Sequence, residues 1–340
     1  MIHTDEPPAA GLDAVYGRLA AIPSLQVSRD VPLAAYTRFG IGGPADLYAE
    51  TRSVEAFLAA LTVSRASGLE LAVIGGGTNL IVSDNGFRGI VLRFIADRIM
   101  AAGGRVIAEA GAVLQDLVDF TIERGLKGLE TLSGIPGSAG AAVYGNAGAY
   151  GHSISERVRA VRFLDGDGAR VFDNAECEFR YRESIFKDHK EWIILSTELV
   201  LDADDASLLR KTAGDILKVR NEKFPPTMKC AGSIFKNFLL VELPPDVAAS
   251  VPAAVIREGK VAAAYFLEQV GAKGMQCGDI HIATYHANLI YNGGSGTARD
   301  LCALIEDLKL RVRERFGIEV EEEVQYVGFH GQAGDLSHLR

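Results

Sequence analysis

The sequence predicts an α+β fold for this 340-residue chain, and three observations favour that class. Short apolar strands are numerous and helices are few, whereas a doubly wound parallel sheet would alternate the two regularly. The glycine-rich loop at 75–79 runs on into another strand, where a Rossmann loop requires a helix. The sequence contains no internal repeat that would indicate a solenoid.

The elements of the first half follow from the spacing of apolar residues. Helical spacing predicts helices near 15–22, from Ser53 onward and over 113–124, the last ending at Gly125. Apolar runs predict strands at 45–49, 69–74, 80–82, 89–94 and 105–110. The proline- and alanine-rich start of the chain is expected to be mobile.

In the second half, a DGDG turn at 165–168 joins predicted strands at 157–164 and 169–172. Further strands are predicted at 192–201, 233–237, 287–291 and 324–327, and helices at 205–218, 261–270 and 298–316. Residues 243–252 are predicted to form a loop. Thr297 with Asp300 predicts a capping box at the start of the last helix.

Composition disfavours several classes of function. A net charge of −9 is unsuited to nucleic-acid binding, which needs clustered Lys and Arg. No apolar run approaches the ~20 residues of a membrane span, and the N-terminus does not resemble a signal peptide. The four scattered cysteines are typical of reduced thiols in a cytoplasm. His281 and His286 have no third ligand nearby in the sequence, so we expect no metal site.

Two glycine-rich stretches predict a dinucleotide site. The stretch 132–151, LSGIPGSAGAAVYGNAGAYG, has too little side-chain volume for an amphipathic helix or an ordinary strand. Its backbone can instead be approached closely by a large flat group such as an isoalloxazine ring. A flexible linker, the alternative, is normally rich in Ser, Pro or charge. At 75–79, three glycines followed by Thr78 and Asn79 favour a nest of inward-pointing N–H groups, which suits a pyrophosphate.

Reactive polar groups occur in three places. Arg182, in the motif FRYRES, could hold a carboxylate with two hydrogen bonds or pair on the surface with Glu183 or Glu178. Ser233 follows a glycine at the start of an apolar strand, where it could cap the chain or donate a proton. It lacks the GxSxG pattern of a nucleophile. One of the glutamates at 321–323 is expected to face the interior as a candidate acid, although charge runs are usually solvated.

Together these segments resemble the UDP-N-acetylenolpyruvoylglucosamine reductase (MurB) family of flavoenzymes. The resemblance covers 35–328 and rests on motifs in the family's order: TRFGIGGPADLY, VIGGGTNLIVSDNGFRGIVLR, LSGIPGSAGAAVYGNAGAYG, YRESIFK, AGSIFKN, AKGMQCGDIHIATYHANLIYN and FGIEVEEEVQYVG. It implies a lead at 1–34 and an FAD-binding domain of the vanillyl-alcohol-oxidase (PCMH) type, in two subdomains, at 35–203. It further implies an α+β substrate-binding domain at 204–328 and a tail at 329–340.

The resemblance also implies the residues of the site. The catalytic residues are Arg182, Ser233 and Glu323. The contacts to non-covalent FAD are Tyr36, Arg38, Gly42, Gly75, Gly76, Gly77, Thr78, Asn79, Ser133, Gly134, Ile135, Pro136, Gly137, Ser138, Gly145, Asn146 and Gly148. The contacts to the UDP-sugar are Tyr181, Lys223, Asn237, Lys273 and His286.

The implied reaction is the NADPH-dependent reduction of enolpyruvyl-UDP-N-acetylglucosamine to UDP-N-acetylmuramate, a step of peptidoglycan synthesis in the bacterial cytoplasm. Hydride passes through the flavin to the terminal methylene carbon. Arg182 and Glu323 then stabilise the enolate-like charge, and Ser233 delivers the proton. No protein partner, nucleic acid or membrane is implied.

The chain departs from the family pattern in two places. Ala141-Ala142 stand where the family usually has Gly-Gly, and 186–221 has no room for the substrate-clamping loop of the first subtype. The chain therefore resembles the shorter, second subtype, and the segment 238–262 has no evident role. Two other functions remain as alternatives. A flavin oxidase of the same fold often tethers the flavin through His or Cys, which both glycine stretches lack. A non-catalytic nucleotide-sugar-binding protein would not need the three catalytic residues together.

Overall fold

The computed structural model describes residues 11–166 and 168–329, which form two compact units. Unit 1 comprises 11–31, Pro44–Gly76 and Phe87–Lys218. Unit 2 comprises Pro32–Gly43, Gly77–Gly86 and 219–329. Two segments that precede residue 204 therefore pack with the C-terminal part of the chain. The start of the chain that we expected to be mobile, 1–10, lies outside the described residues, as does the tail from 330.

The chain order of the elements is as follows. The helices are α1 (Leu12–Ala20), α2 (Val54–Arg65), α3 (Leu114–Glu123), α4 (Ala139–Tyr144), α5 (Ile185–Asp188), α6 (Ala206–Lys223), α7 (Pro245–Ser250), α8 (Ala263–Gln269) and α9 (Ala298–Phe316). The strands up to the middle of the chain are β1 (Gln26–Pro32), β2 (Pro44–Thr51), β3 (Glu70–Ile74), β4 (Leu80–Val82), β5 (Phe87–Phe94), β6 (Ile99–Ala102), β7 (Arg105–Glu109), β8 (Leu126–Lys127), β9 (Gly148–Ala149) and β10 (His152–Ser153). The remaining strands are β11 (Val158–Leu164), β12 (Ala169–Asp173), β13 (Ile193–Val200), β14 (Asp202–Ala203), β15 (Phe238–Leu239), β16 (Ile256–Arg257), β17 (Lys260–Val261), β18 (Gln276–Cys277), β19 (Ile280–Ile282), β20 (Ile290–Asn292) and β21 (Gln325–Val327).

Unit 1 contains two large sheets. One has the order β1-β2-β5-β3, in which β5 runs parallel to both β2 and β3. The other is antiparallel, with the order β12-β11-β13-β7-β6. A continuous apolar core joins residues from both sheets with those of α2 and α3, among them Phe57, Leu92, Leu117 and Phe163. The glycine loop at 75–76 follows directly from the end of β3.

Unit 2 is built from short strands around a long helix. Its sheets have the orders β15-β17-β16, β18-β19-β20 and β21-β4, and its strands are two or three residues long. The apolar stripe of α9 lies in the core of the unit, and its buried residues include Leu301, Ile305 and Leu308. Thr297 and Asp300 form the predicted capping box, and Gly317 ends the helix in the left-handed conformation with φ 66°.

The α+β class is confirmed, and the structure reproduces the predictions at 80–82 and 298–316 residue for residue. The strand predicted at 233–237 is wrong, because only Ser233 and Phe235 form isolated bridges there. The strand predicted at 287–291 is displaced to β20. Residues 234–236 are held by backbone bonds to Asn288, Glu321 and Glu323 and by the side-chain amide of Asn288. The local apolar pattern does not encode these partners, which are distant in sequence.

Three helices, α4, α5 and α7, lie where none was predicted. The stretch 132–151 contains α4, whose alanines are strong helix formers and whose first turn is capped by Ser138 Oγ, which accepts from Ala141 N at 3.3 Å. A Cβ at Gly140 would lie 2.7 Å from Ala110 Cβ, so glycine is needed for this short helix to pack closely. The loop predicted at 243–252 contains α7, which begins with a proline, a residue favoured at the first helical position.

Candidate active site

Arg182 lies in a tight turn of unit 1. Arg180 and Glu183 exchange two backbone hydrogen bonds, of 3.0 and 3.1 Å, so Tyr181 and Arg182 occupy the two central positions. Arg182 has φ 59°, a left-handed conformation that turns of this kind normally reserve for glycine. For a residue with a side chain this conformation costs about 1–2 kcal/mol. Such strain persists where the surrounding structure enforces it, which is common at functional sites.

Three hydrogen bonds attach this turn and the following Ser184 to the segment from the end of α4 to the start of β9. The bonds are Asn146 Nδ2 to Arg180 O (2.8 Å), Arg182 Nη2 to Gly148 O (2.8 Å) and Ser184 Oγ to Tyr144 O (2.7 Å). Burial raises the pKa of Tyr144 to about 12, so its phenol stays protonated. Because residues 145–148 belong to the predicted flavin wall, the structure brings Arg182 directly against part of that wall.

The side chain of Lys187 binds the backbone carbonyl of the strained residue, Arg182. Its side chain is only 13% exposed, and Nζ donates to Arg182 O and to Glu183 Oε1, both at 3.0 Å. The Arg182 guanidinium carbon also lies 5.4 Å from the centre of the Tyr181 ring. Sequence reasoning missed Lys187, although its spacing of four residues from Glu183 was a usable signal.

The glycine loops of unit 1 approach each other through their backbones. A Cβ added at Gly76 would lie 3.6 Å from Gly137 Cα, and one at Gly75 would lie 3.7 Å from Ser138 Oγ. Side chains at these positions would not clash but would fill the space beside the opposing loop. Gly134 and Gly137 have φ of 76° and 124°, which favour glycine. The residues present therefore fit a flat cofactor held largely by backbone, as FAD would require.

The other predicted cofactor residues belong to unit 2. Arg38 N donates to Gly77 O at 3.2 Å. A Cβ at Gly77 would overlap the carbonyl of Tyr36, and one at Gly42 would lie 2.8 Å from Val82 Cβ. Both glycines have positive φ, of 65° and 138°. Close packing of 36–42 against 77–82 therefore explains why glycine is needed at both positions.

Ser233 and Glu323 lie on two segments of unit 2 that are hydrogen-bonded to each other. Glu323 N donates to Ile234 O at 2.7 Å, while Ser233 forms an isolated bridge with Leu289. The amide of Asn288 binds both polar backbone groups of Phe235, at 2.9 and 2.8 Å. No sequence pattern identified Asn288, because its partners lie more than fifty residues earlier.

The three successive glutamates have different surroundings. Glu321 is exposed and pairs with Lys236. The side chain of Glu322 is 7% exposed and lies 3.0 Å from Lys309 Nζ, which is 9% exposed. Glu322 is therefore an enclosed carboxylate whose charge is balanced by a lysine. Glu323 is half-buried, and its carbonyl accepts from Asn79 Nδ2 at 2.8 Å.

The predicted substrate contacts of unit 2 are only partly grouped. Lys223 Nζ lies 5.1 Å from the centre of the Phe224 ring, whose own centre is 6.2 Å from that of His286. Burial, and then the charges of Lys223 and Lys273, lower the pKa of His286 to about 4. Its Nε2 is buried and, within the described residues, has no hydrogen-bond partner. His286 is thus a neutral imidazole close to two cations.

Asn237 and Lys273 have structural partners. Asn237 Oδ1 accepts from Ala263 N at 3.3 Å, at the start of α8. Lys273 Nζ lies 2.9 Å from Glu268 Oε1, and both side chains are well exposed. Among residues 11–166 and 168–329, no three His, Cys, Asp or Glu side chains are grouped to hold a metal ion. In the same residues, no helix combines the length and apolar character needed to cross a membrane.

Comparison with known proteins identifies both halves of the chain. A model of the FAD binding domain matches 45–172, and a model of the UDP-N-acetylenolpyruvoylglucosamine reductase C-terminal domain matches 224–327. The reductase of that name from Solibacter usitatus (strain Ellin6076) is 72% identical over 311 residues, which are 92% of this chain and 100% of the relative. The one from Rubrobacter xylanophilus is 38% identical over 304 residues, 88% of this chain and 94% of the relative.

A solved structure agrees with these matches. The crystal structure of UDP-N-acetylenolpyruvylglucosamine reductase (MurB) from Thermus caldophilus gives a TM-score of 0.70 at 28% identity, covering 89% of this chain and 99% of that one. The predicted FAD-binding fold and the family resemblance are therefore confirmed. This chain belongs to the UDP-N-acetylenolpyruvoylglucosamine reductase family.

Proposed function

We propose that the chain is an FAD-containing oxidoreductase that reduces UDP-N-acetyl-3-O-(1-carboxyvinyl)glucosamine to UDP-N-acetylmuramate for peptidoglycan synthesis. The observation that supports this most is membership of the reductase family over 92% of the chain, with an FAD-binding match in its first half. The chemistry that bound FAD supplies is hydride transfer, from NADPH and then to the enolpyruvyl double bond. Residues 35–203 are assigned to cofactor binding and 204–328 to the substrate.

Backbone groups would hold the cofactor. The loop 75–79 would bind the pyrophosphate, and 133–138 with 145–148 would form the wall for the ring. Tyr36, Arg38 and Gly42 would complete the site. The near absence of side chains at 75–77 and the close approach of Gly76 to Gly137 support this assignment. Ser133 and Ser138 are buried and bond to the backbone, which makes the wall rigid.

Arg182 would stabilise the charge that develops on the substrate carboxylate and its neighbouring carbon. A guanidinium stays charged in any surroundings and can bind a carboxylate with two hydrogen bonds. Its strained turn and the bond to Gly148 O fix the side chain before substrate binds, and such preorganisation makes electrostatic stabilisation effective. Tyr181, the other central residue of the turn, would contact the sugar nucleotide.

Ser233 would deliver the proton that completes the product, and Glu323 would stabilise the enolate-like state. A serine hydroxyl is a weak acid in water, so this step requires a strongly basic carbanion and the exclusion of solvent. Glu323 is held through its backbone by Ile234 and Asn79, which limits its freedom. Removing one preorganised donor of this kind typically costs about 10²–10³ in rate.

Lys223 and His286 would bind the phosphates of the nucleotide, and Lys273 and Asn237, on the same unit, would contact the sugar nucleotide. Burial, and then the charge of Arg220, lower the pKa of Lys223, and an anionic ligand beside it would favour the charged form of the lysine again. We place the reaction in the bacterial cytoplasm. It needs no protein partner, nucleic acid or membrane.

Anaerobic mixing of the purified chain with NADPH and then with the enolpyruvyl nucleotide tests this function. The reductase is expected to lose its flavin absorbance with NADPH and to recover it when the nucleotide is added. Recovery only after oxygen is admitted would indicate a flavin oxidase instead. A colourless protein that binds the nucleotide without turnover would indicate a binding protein.

A further inference from the structure

Arg93 connects the sheet of unit 1 to the glycine loop at 75–76. Arg93 lies on β5 opposite Ile74, the last residue of β3, in the parallel register. Its Nε donates a hydrogen bond of 3.1 Å to Gly75 O, the first carbonyl beyond that strand. The arginine therefore holds the loop at the point where it leaves the sheet.

A carboxylate and a phenol hold Arg93 from its other neighbouring strand. Glu50 on β2 is the register partner of Arg93 and places Oε2 3.5 Å from Arg93 Nη1. The same oxygen accepts from Tyr48 Oη at 2.6 Å. Burial, and then the hydrogen bond with Glu50, raise the pKa of Tyr48, so its hydroxyl remains a donor. The resulting chain Tyr48–Glu50–Arg93–Gly75 crosses three adjacent strands.

Fixing the Gly75 carbonyl also fixes the amide of the next residue. The peptide bond is planar and trans, so its C=O and N–H point in opposite directions. With Gly75 O directed at Arg93, the N–H of Gly76 is directed away from Arg93. A glycine peptide has little intrinsic preference of its own, because glycine adopts both signs of φ readily. An external hydrogen bond is therefore an effective way to choose its orientation.

We infer that Arg93 is a positioning residue for FAD. Held by Glu50 and Tyr48, it orients the Gly75–Gly76 peptide so that the Gly76 N–H is presented to the pyrophosphate. This rests on the proposed assignment of 75–79 to the pyrophosphate. A positioning role is distinct from a direct contact, since Arg93 acts through the carbonyl of Gly75.

The same two strands contain a matched control. Arg88, at the other end of β5, pairs with Asp46 on β2 at 2.6 Å, and its side chain is 64% exposed. Both arginines thus link β5 to an acidic residue of β2. Arg93 bonds to the glycine loop, whereas Arg88 lies at the opposite end of β5, so Arg88→Met removes a similar cross-strand pair away from that loop.

The test measures the dissociation constant of FAD for the full-length chain. The protein is stripped of flavin and titrated with FAD while flavin fluorescence is followed. Arg93→Met is expected to weaken FAD binding about tenfold, the loss of one charge-assisted hydrogen bond. Glu50→Gln, which leaves the arginine but loosens it, is expected to weaken binding about threefold. Arg93→Lys is expected to recover part of the affinity. Arg88→Met is expected to bind FAD as the parent does.

Two outcomes would overturn the inference. One is an equal dissociation constant in Arg93→Met and Arg88→Met. The other is a fall in the thermal midpoint of the stripped Arg93→Met protein that is not seen in Arg88→Met, because the arginine would then stabilise the sheet in general. Gly76→Val separates this inference from the proposed function. If that variant binds FAD normally, the assignment of the loop is wrong, whereas its loss of FAD with an unaffected Arg93→Met contradicts only the role of Arg93.

Discussion

Unit 1 and unit 2 hold their predicted functional residues by different means. In unit 1, strands of up to eight residues form large sheets, and glycine loops extend directly from strand ends. In unit 2, strands have two or three residues, and side chains supply many of the bonds between segments. Asn288 binds Phe235, Asn292 binds Phe39 O, and Asp84 accepts from the first amides of α9.

This difference indicates a division of labour within the chain. Backbone geometry shapes the glycine loops of unit 1, although side chains hold the turn of Arg182 there. In unit 2, buried polar side chains position the segments that carry the proposed reactive groups. Because a buried polar group that loses its partner is costly, single polar substitutions should destabilise unit 2 more than unit 1. The effect of a glycine substitution should instead depend on the space available for the added Cβ at that position.

The largest effect is expected for Gly77→Ala, compared with Gly75→Ala two residues earlier. The new Cβ at 77 would overlap the Tyr36 carbonyl at a positive φ, whereas that at 75 meets only ordinary contacts. We expect Gly77→Ala to lose FAD affinity by at least about 100-fold or to fail to fold. Gly75→Ala should stay within about threefold of the parent. Equal FAD dissociation constants for the two variants would contradict the structure of this loop.

Lys309→Met tests the buried ion pair of unit 2. Leaving Glu322 without its cationic partner should lower the free energy of unfolding by about 3–5 kcal/mol, measured by urea denaturation. Lys309→Met with Glu322→Leu should recover most of that loss, since an apolar pair of similar volume is often neutral. In unit 1, Arg52 pairs with Asp97 on the surface, and Arg52→Met should cost less than about 1 kcal/mol. Similar losses at Lys309 and Arg52 would remove the contrast between the units.

Lys187→Met tests how the left-handed conformation of Arg182 is maintained. Without the bond from Lys187 Nζ to Arg182 O, we expect kcat to fall about tenfold, equivalent to ~1.4 kcal/mol. The FAD dissociation constant should not change, because the glycine loops are untouched. Lys190→Met, three residues on and exposed, is the control and should keep the parent kcat. A parental kcat in Lys187→Met would show that the conformation of Arg182 does not depend on the bond from Lys187.

The smallest effect concerns the pH dependence of stability at His286. Its folded pKa of about 4 lies below the ordinary value of about 6.5, so the unfolded chain binds the proton first. The stability that the neutral ring contributes is present above pH ~6.5 and is lost as the pH falls toward 4. His286→Gln should therefore lose less unfolding free energy between pH 7 and 5 than the parent. Identical slopes in the two proteins would contradict a buried neutral His286.

Elements whose apolar pattern and end residues lie within the element itself could be predicted from the sequence. The last helix has nineteen residues, a continuous apolar stripe, a capping box and a terminal glycine, so its bounds were fixed by neighbouring residues alone. The glycine loops, Arg182 and Ser233 were singled out as candidates from local motifs, whereas the choice of Glu323 among the three glutamates came from the family resemblance. The roles of these residues stay predictions.

What could not be predicted depends on partners distant in sequence. The segment at 233–237 reads as a strand, but the amide of Asn288 and the backbone of 322–323 bind it in place of a regular ladder. Similarly, Glu321 is exposed whereas Glu322 is enclosed and pairs with Lys309, although the three glutamates look equivalent in the sequence. The left-handed φ of Arg182 had no signal, because turns select glycine there.

The most direct test of the proposed division, with the cofactor site in unit 1 and reactive groups in unit 2, uses Ser233→Ala. Its two half-reactions are followed separately by anaerobic rapid mixing. Flavin reduction by NADPH should keep the parental rate, because it does not use the proton of Ser233. Reoxidation by the enolpyruvyl nucleotide should slow by about 10²–10³. Parental rates in both half-reactions would contradict the account, and so would slowing of the NADPH step alone.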